Sequence, residues 1–357
     1  MCRIAGVIDF KNSLGKKLEE VTISMRDSMV YGGPDDAGLF MSNNKKVAFG
    51  NRRLSIIDLS SNGHQPMSNK TKTIWITYNG EIYNFRELRK ELQQEGCTFL
   101  SGSDTEVIVN GYEQWGIEKL ISKLRGMFAF AIYDERDVIN GHKLYLVRDR
   151  FGIKPLYYYH SDKYLIFASE VKAIAGCGLI SQEENIDAMV KFLQLGSIPV
   201  PLTTIKNVYS IPASHYLELK NENITIKRYW NISQVFKSST NNMKYGDVVE
   251  LIKSTLDKVM QLHLISDAPL GVFLSGGLDS SALCAIASKY QQNPLVTLSL
   301  VFEENSFSEA KYSRLVAKKF NTNHNEITLT EKDFMDEIPS IISAMDQPTV
   351  DGVNTYF

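Results

Sequence analysis

The chain has 357 residues, of which 43% are hydrophobic and 22% charged, and its 39 basic and 41 acidic residues leave a formal net charge of −2. This composition excludes a disordered or collagen-like chain and provides no global basic charge for holding nucleic acid. At about 150 residues per domain, the length predicts two domains with some residues to spare.

The cysteines and the apolar segments bear on the cellular compartment. The N-terminus lacks a basic segment followed by a long apolar run, and no stretch of about 18 apolar residues occurs in the sequence. The four cysteines lie far apart with no CxxC pair, as expected of reduced thiols; they are Cys2, Cys97, Cys177 and Cys284. We therefore expect a cytoplasmic protein with no membrane segment.

Residues 1–170 are rich in predicted strands. Short runs of β-branched and aromatic residues are separated by turn residues, namely RIAGVIDF, KKVAFG, TIWITY, MFAFAIYD, KLYLVRD and YLIFASE. Apolar residues at three- and four-residue spacing predict one helix over 18–29 and another over 85–96, which ends on a C′ glycine. Asp104 stands where a helix N-cap is expected, and DERDVINGH predicts a hairpin.

The character of the chain changes after residue 230. Residues 180–230 hold a proline-containing connection and the predicted hairpin HYLELKNENITIKRYW, and residues 231–245 are polar and weakly periodic, so we predict a linker there. Beyond it the predicted elements alternate: helix 247–265, strand PLGVFLS, helix 279–290, strand LVTLSLVF, helix 308–320, strand HNEITLT and helix 331–345. This alternation predicts βαβ units and a parallel sheet in a second domain, residues 246–357.

Cys2 follows the initiator methionine. Removal of Met1 would leave a thiol and a free α-amine on the same residue. An α-amino group has a pKa of about 8 and can take the thiol proton, which gives a thiolate nucleophile without a separate histidine. A small buried cysteine near a strand start is the alternative for this residue taken alone.

Further motifs follow Cys2 in order: NRRLSIIDLSSNGHQPM, YNGEIYNFRELR, GSDTEV, GMFAFAIYD and RDRFGIKPLYY. Together they resemble the glutaminase domain of class II glutamine amidotransferases, and most closely that of the glutamine-dependent asparagine synthetases. The resemblance covers residues 1–230. It implies an α+β domain with the four-layer αββα fold of N-terminal nucleophile hydrolases.

The resemblance also implies roles for individual residues in glutamine hydrolysis. Cys2 would attack the side-chain amide, and Asn79 and Gly80 would form the oxyanion hole through a side-chain NH2 and a backbone N–H. Arg53 would bind the glutamine α-carboxylate, because its planar fork suits a target with two oxygens. The pocket wall would continue along Leu54, Ser55, Ile56 and Ile57, and the α-ammonium would be accepted by Glu81 and Asp104.

Three places in the sequence depart from the usual pattern of this family. Arg3 stands where the family usually has glycine beside the nucleophile. YGGPDD stands where HRGPDD is typical, so Tyr31 and Gly32 replace a histidine and an arginine, and Asn51 also stands where histidine is usual. We expect glutamine binding to survive these changes and a support near the active site to be missing.

The motif SGGLDSS follows the predicted strand GVFL and opens a predicted helix. Its two glycines let the backbone turn tightly, and free N–H groups at a helix start form an anion site. No Gly-Lys-Ser/Thr follows, so this is not a Walker A loop, and it is not GxGxxG. The motif resembles the PP-loop of ATP pyrophosphatases, which opens the synthetase domain of asparagine synthetases, and Asp346-Gln347-Pro348 resembles later sequence of the family.

The PP-loop resemblance implies that this α/β domain binds ATP with its Mg²⁺, and it implies no metal site made by the protein alone. The residues around the pyrophosphate would be Ser275, Gly276, Gly277, Asp279 and Ser280, with Asp279 near the Mg²⁺. Leu274 and Leu300 would line the adenine pocket. The alternative is a tight βα turn whose serine and aspartate only cap a helix.

The two resemblances together imply a glutamine-hydrolysing asparagine synthetase, which is a carbon–nitrogen ligase. Ammonia released from glutamine at Cys2 would reach ATP-activated aspartate and give asparagine, glutamate, AMP and pyrophosphate. The synthetase domain of the family continues well past the length of this chain, so we expect an incomplete second domain with impaired synthetase activity. The expected partners are glutamine, aspartate and ATP, with no nucleic acid and no membrane; a homodimer is expected only as the commonest assembly.

Two alternatives stay open at this point. One is a class II amidotransferase that acts on a carboxylate other than aspartate. The other is a non-catalytic relative that binds glutamine or a nucleotide. Product analysis tests the first, and ligand-induced stabilisation without turnover would support the second.

Overall fold

The computed structural model describes residues 2–137, 142–238, 243–303 and 309–350. These residues form two compact units. The first unit contains the described residues up to Ser238 together with residues 346–350, and the second contains those from 243 to 345. Each unit has its own sheet structure and its own hydrophobic core.

The first unit is built on antiparallel strands. Along the chain these are β1 (Arg3–Asp9), β2 (Asp36–Met41), β3 (Val47–Arg53), β4 (Met67–Ser68), β5 (Ile74–Ile82), β6 (Gly126–Asp134), β7 (Lys143–Arg148), β8 (Tyr157–His160), β9 (Tyr164–Ala168), β10 (Val208–Ser210), β11 (His215–Lys220) and β12 (Asn223–Arg228). Over the described residues they form one sheet in the order β10–β8–β9–β1–β3–β2 and another in the order β12–β11–β7–β6–β5–β4. The helices of this unit are α1 (Lys17–Asp27), α2 (Phe85–Gln94), α3 (Asp104–Lys123), α4 (Val171–Ala175), α5 (Ile186–Leu195) and α6 (Ile232–Ser238).

The two sheets pack face to face between outer helices. Phe49 of the first sheet and Leu146 of the second belong to one cluster of buried side chains, and Phe40 stacks on Trp75 with ring centroids 4.2 Å apart. A second cluster fills the space between the first sheet and helices α1 and α4, while α3 packs on β5 and α2 packs beside α3. Strand β1 is buried on both faces because it lies between these two clusters. This layer order confirms the predicted αββα fold of N-terminal nucleophile hydrolases.

The periodic helices of the first unit lie where the sequence predicts them. Helix α2 is followed by Gly96, whose φ is +94°. That φ lies in the left-handed region, which explains why a glycine follows this helix. The predicted hairpin DERDVINGH falls partly outside the described residues, although its flanking strands β6 and β7 pair antiparallel.

The predicted cap of α3 is wrong by one residue. Ser103 is the N-cap, since its side chain accepts a hydrogen bond from the Thr105 backbone N–H. Asp104 is the first residue of the helix. Its carboxylate also has hydrogen-bond partners outside the helix, in a pocket described below.

The segment predicted as a linker, residues 231–245, is partly helical. Helix α6 covers Ile232–Ser238, and the next helix of the chain begins at Tyr245. Residues such as Val235 and Phe236 are exposed on α6. A single short helix has too few turns to show a clear helical period of apolar residues. The polar composition of the segment therefore predicts a linker where the structure has a helix.

The second unit alternates helices and strands as predicted. Its helices are α7 (Tyr245–His263), α8 (Leu278–Ala287), α9 (Ala310–Phe320) and α10 (Glu331–Ala344), and its strands are β13 (Gly271–Phe273), β14 (Val296–Phe302) and β15 (Asn323–Leu329). The three strands lie side by side in that order, and each neighbouring pair is parallel. Met260, Leu274, Cys284 and Ala317 belong to the core of this unit. Among the described residues, no helix is both long enough and apolar enough to cross a membrane.

Candidate active site

Five parts of the chain meet at one pocket of the first unit. They are Cys2 just before β1, the segment 53–57 at the end of β3, Gln65, the segment 78–81 of β5 and the segment 103–105 at the start of α3. The lining contains most of the predicted glutamine-site residues, namely Cys2, Arg53, Leu54, Ile56, Ile57, Gly80, Glu81 and Asp104. The other two predicted residues, Ser55 and Asn79, lie next to lining residues in the chain, and the Ser55 backbone N–H donates to Asp35 Oδ2 at 2.8 Å.

Cys2 is held in this pocket with 9% of its surface exposed. Its Sγ accepts a hydrogen bond from the Leu54 backbone N–H at 3.4 Å and donates to the Leu54 carbonyl oxygen at 3.6 Å. Burial raises the pKa of the thiol, whereas the Leu54 hydrogen bond and the positive charge of Arg53 act in the opposite direction. A donor is thus in place to stabilise the thiolate once the proton has left.

The side-chain amide of Asn79 is buried without a partner. Asn79 is 1% exposed, and neither Nδ2 nor Oδ1 has a hydrogen-bond partner among the described residues. A buried polar group left unpaired costs about 1–3 kcal/mol. The next residue, Gly80, lines the pocket, and a Cβ there would clash with the Met127 carbonyl oxygen. Close packing of β5 on β6 therefore explains the glycine, and the unpaired amide is a donor available to a ligand.

Glu81 and Asp104 place two carboxylates in the same pocket. Asp104 Oδ2 accepts hydrogen bonds from the Tyr78 hydroxyl at 2.8 Å and from the Ile82 backbone N–H at 2.9 Å. Burial raises the pKa of Asp104, and these hydrogen bonds oppose that rise. Burial first, and then the negative charge of Asp104, raise the pKa of Glu81 to about 7, while Lys154 lowers it. The two carboxylates together suit a cationic group of a ligand.

Arg53 lines the pocket and also holds a loop of its wall. Its Nη1 donates to the Ser60 carbonyl oxygen at 3.3 Å, and its Nη2 donates to the carbonyl oxygens of Ile57 at 3.1 Å and Asp58 at 2.5 Å. The guanidinium is a rigid fork, so these bonds fix the loop and the arginine relative to each other. Arg53 therefore shapes the pocket in addition to the carboxylate-binding role that the sequence predicts for it.

Four residues that line the pocket are absent from the sequence prediction, namely Gln65, Tyr78, Ser103 and Thr105, and so is the nearby Lys154. Gln65 Oε1 accepts a hydrogen bond from the Tyr78 backbone N–H at 2.8 Å, and both residues line the pocket. Lys154 is 2% exposed; burial and the positive charge of Arg3 lower its pKa, while nearby acidic groups and Cys2 act in the opposite direction. The sequence does hold one signal for Lys154, which is its place inside the apolar stretch GIKPLYY. A lysine that such a stretch buries is expected to lie near a charged partner.

The SGGLDSS loop joins β13 to α8 in the second unit. Gly276 has a φ of +87°, and Ser275 Oγ lies 2.9 Å from Ser280 Oγ and accepts from the Gly277 backbone N–H at 3.2 Å. The loop thus turns directly into the start of α8, where the backbone N–H groups and the helix dipole favour an anion. Asp279 stands in the first turn of that helix. These residues fit the phosphates of a nucleotide, and the carboxylate suits the Mg²⁺ that accompanies them.

The two leucines predicted for an adenine pocket differ in their surroundings. Leu274 is 1% exposed and packs in the core of the second unit, so its side chain anchors the loop. Leu300 lies on β14, opposite Ile327 of β15, and is partly exposed. Of the two side chains, Leu300 is the one that keeps apolar surface for a ligand.

Gly276→Ala is expected to destabilise the second unit. Its φ lies in the left-handed region, which costs an alanine about 1–2 kcal/mol, and a Cβ there would lie 2.9 Å from the Ser313 nitrogen and from Tyr312 Cβ. The matched control is Gly246→Ala in α7, where a Cβ meets nothing within 4 Å and alanine favours the helix by up to about 1 kcal/mol. Calorimetric unfolding of the full chain measures both variants. Equal unfolding temperatures for Gly276→Ala and the wild type would contradict the prediction.

Comparison with known proteins shows which family this chain resembles. Residues 1–230 match the glutamine amidotransferase domain, and residues 251–357 match asparagine synthase. Asparagine synthetase (glutamine-hydrolyzing) 1 of Bacillus subtilis is 36% identical over 365 residues, which cover 100% of this chain and 55% of that protein. Asparagine synthetase (glutamine-hydrolyzing) 3 of the same bacterium is 33% identical and covers 99% of this chain and 58% of that protein. The chain thus spans a little more than half the length of these relatives.

Two further matches come from other proteins. Putative asparagine synthetase (glutamine-hydrolyzing) 2 of Methanocaldococcus jannaschii is 35% identical over 100% of this chain and 70% of that protein. Among solved structures, the glutamine phosphoribosylpyrophosphate amidotransferase of B. subtilis with ADP and GMP matches at 16% identity and a TM-score of 0.48, covering 91% of this chain and 65% of that chain. Because the family matches span both units and the relatives exceed 30% identity over the whole chain, the chain belongs to the family of glutamine-hydrolysing asparagine synthetases.

Proposed function

We propose that this chain hydrolyses glutamine at Cys2 and supplies the ammonia for amidation of aspartate. The observation that carries the proposal is the pocket, in which a buried thiol with an N–H donor lies with Gly80 and two carboxylates. The unpaired amide of Asn79, beside Gly80 in the chain, adds a donor of the kind that an oxyanion needs. The pocket therefore has parts for both the chemistry and the binding of an amino acid.

The proposed hydrolysis follows from these parts. The thiolate of Cys2 attacks the side-chain carbonyl carbon of glutamine, and the oxygen becomes an oxyanion that Asn79 Nδ2 and the Gly80 backbone N–H stabilise. The α-amino group of Cys2, exposed by removal of Met1, takes the thiol proton and gives it to the amide nitrogen, so that ammonia leaves and a thioester remains. Water then attacks the thioester, releases glutamate and returns the thiol. Glu81 and Asp104 bind the α-ammonium of glutamine, and Arg53 binds its α-carboxylate.

The second unit supports the second half of the proposal. A carboxylate is a poor electrophile, so ATP activates aspartate as an acyl-adenylate with release of pyrophosphate, and ammonia displaces AMP to give asparagine. The loop of Ser275, Gly276 and Gly277 at the start of α8 is suited to the phosphates. Mg²⁺ bound with ATP would neutralise phosphate charge, with Asp279 as the nearest proposed carboxylate. Ammonia that escaped to the solvent would become unreactive ammonium, so in this proposal the ammonia is transferred inside the protein.

The test is a product assay on the purified full chain. Glutamine labelled with ¹⁵N in the side chain is supplied alone and then with aspartate and Mg-ATP, and glutamate, asparagine, AMP and pyrophosphate are measured. We expect glutamate release in the first reaction and ¹⁵N-asparagine with AMP and pyrophosphate in the second. No glutamate release contradicts the glutaminase half. Glutamate release without a labelled amide product contradicts the synthetase half for this chain, and a labelled product other than asparagine indicates a different carboxylate acceptor.

The affinity for glutamine is expected to rise as the pH increases through about 7. Glu81 has its pKa raised to about 7, so below that pH it is largely neutral and offers no anion to the α-ammonium. Above it the carboxylate is charged, while the α-ammonium of glutamine is still protonated. The measurement is the KM for glutamine between pH 6 and pH 8.5, which should fall as the pH rises.

Glu81→Gln provides the control for this pH dependence. The amide is neutral at every pH, so we expect a high KM with little change across the range. Glu87→Gln removes an exposed carboxylate of α2 and should keep the wild-type profile. A wild-type KM that stays constant, or a Glu81→Gln profile that keeps the wild-type slope, would contradict the role of Glu81.

A further inference from the structure

Arg3 lies beside the nucleophile and outside the lining of the pocket. Its Nε forms an ion pair with Glu170 Oε1 at 2.5 Å, and its Nη1 donates to the carbonyl oxygen of Cys2 at 3.3 Å. A guanidinium is planar, so two bonds from one fork fix its orientation. The main chain of the nucleophile is thus held by the side chain of the residue that follows it. The sequence analysis expects a support near the active site to be missing, and Arg3 is the side chain that contacts the main chain of Cys2 at this place.

The anchor of Arg3 continues the pairing of two strands. Regular pairing of β1 with β9 ends at Ala5. Beyond it, the Ile4 backbone N–H donates to Ser169 Oγ at 2.9 Å, and the Ser169 backbone N–H donates to the Ile4 carbonyl oxygen at 2.9 Å. The Arg3–Glu170 ion pair is the next contact along the same edge, and Glu170 is 9% exposed. These contacts extend the ordered pairing of β1 with the chain after β9 as far as Arg3, the residue next to Cys2.

Gly32 makes room for this side chain. A Cβ at Gly32 would lie 2.5 Å from Arg3 Cγ, 2.7 Å from Cζ and 2.8 Å from Nε, all closer than a real Cβ approaches other atoms. The φ of Gly32 lies outside the left-handed region, so its backbone does not require glycine. The requirement comes from Arg3, and Gly32 is itself buried. The two positions compete for one volume.

We propose that Arg3 is a positioning residue for the Cys2 nucleophile and that Gly32 is its steric complement. The inference rests on the proposed glutamine hydrolysis. Arg3 holds the main chain of Cys2 through one bond while Glu170 holds Arg3, so loss of either contact loosens the attacking thiol. Arg3 does not line the pocket, so glutamine binding does not depend on it. The turnover number therefore depends on Arg3 more than the KM does.

The test compares single variants with an exchange of the two residues. Misplacement of an attacking group by about 1 Å costs up to ~100-fold, so we expect Arg3→Ala to lower kcat for glutamate release by about 10- to 100-fold with KM changed less than about twofold. Arg3→Lys keeps a cation for Glu170 but loses the planar fork, so its kcat should lie between those of Arg3→Ala and the wild type. Gly32→Arg alone should be impaired because two side chains occupy one volume. The double variant Arg3→Gly/Gly32→Arg should exceed the kcat of Arg3→Gly by about tenfold.

Arg52→Ala is the matched control. Arg52 lies opposite Arg3 on β3 and pairs with Asp27 at 2.7 Å, away from the Cys2 carbonyl. The Arg52→Ala substitution should leave kcat and KM close to the wild-type values. Wild-type kcat in Arg3→Ala, an equal loss of kcat in Arg52→Ala, or a double variant that does not fold or is no faster than Arg3→Gly overturns the inference.

Amide hydrogen exchange separates this inference from the proposed function. The peptide of residues 2–8 should exchange faster in Arg3→Ala than in the wild type, while a peptide from β5 stays unchanged. If the wild type releases no glutamate, the proposed function fails and the exchange comparison still tests the anchoring. If glutamate is released but exchange and kcat are unaltered in Arg3→Ala, only the positioning inference fails.

Discussion

Replacement of Cys2 by alanine is expected to lower the rate of glutamate release by roughly 10⁴-fold or more. Among the described residues that line the pocket, Cys2 carries the only thiol, and its Sγ is the atom held by the Leu54 backbone. Without it no thioester forms, and removal of the nucleophile in hydrolases with a covalent intermediate costs losses of this size. The measurement is an enzyme-coupled glutamate assay on the full chain, with glutamine binding followed by calorimetry.

Two controls separate loss of chemistry from loss of structure. Cys2→Ala should still bind glutamine, because the carboxylates and Arg53 are unchanged. Cys177→Ala removes another buried thiol of the first unit, which packs in the cluster beneath α4, so it should lower the unfolding temperature and keep kcat. A Cys2→Ala variant that keeps more than a tenth of the wild-type rate would contradict the assignment of the nucleophile.

The local elements of this fold could be predicted because their signals are local. Helix α2 has its apolar residues on one face and a glycine at a positive φ after it, and both features can be read from a few turns of sequence. The second unit shows its parallel sheet through the alternation of strands and helices. Helix α6 was missed because seven residues with exposed apolar side chains contain too little periodicity.

The pairing of strands and the environment of side chains are not local. Strand β1 lies between β3 and β9, which are separated from it by very different lengths of chain, and nothing near residue 3 specifies either neighbour. The resemblance to the family supplied the names of Cys2 and Asn79. It did not supply the burial of Lys154 or the contact of Arg3 with Gly32, because both depend on how distant segments pack.

Asn79→Ala is expected to lower kcat for glutamate release by about 10²- to 10³-fold with little change in KM. The oxyanion exists only after attack, so its donor stabilises the transition state and contributes little to the binding of glutamine. The Asn79 amide is 1% exposed and has no partner among the described residues, so the fold carries an unpaired polar group at this position. Removal of this amide relieves the cost of burying it unpaired, about 1–3 kcal/mol of folding free energy. This gain offsets the cost of the small cavity left by the shorter side chain.

The stability of the variant is therefore the sharper part of the prediction. Asn79→Ala should unfold at or above the wild-type temperature even though its activity is low. Asn51→Ala is the matched control, because Asn51 is also buried but its Nδ2 donates to Thr77 Oγ1 at 3.1 Å and to the Tyr78 carbonyl oxygen at 3.3 Å. That substitution should cost about 1–3 kcal/mol. If Asn79→Ala loses as much stability as Asn51→Ala, the role of Asn79 is structural. If Asn79→Ala loses kcat alone, the partner of Asn79 is the oxyanion.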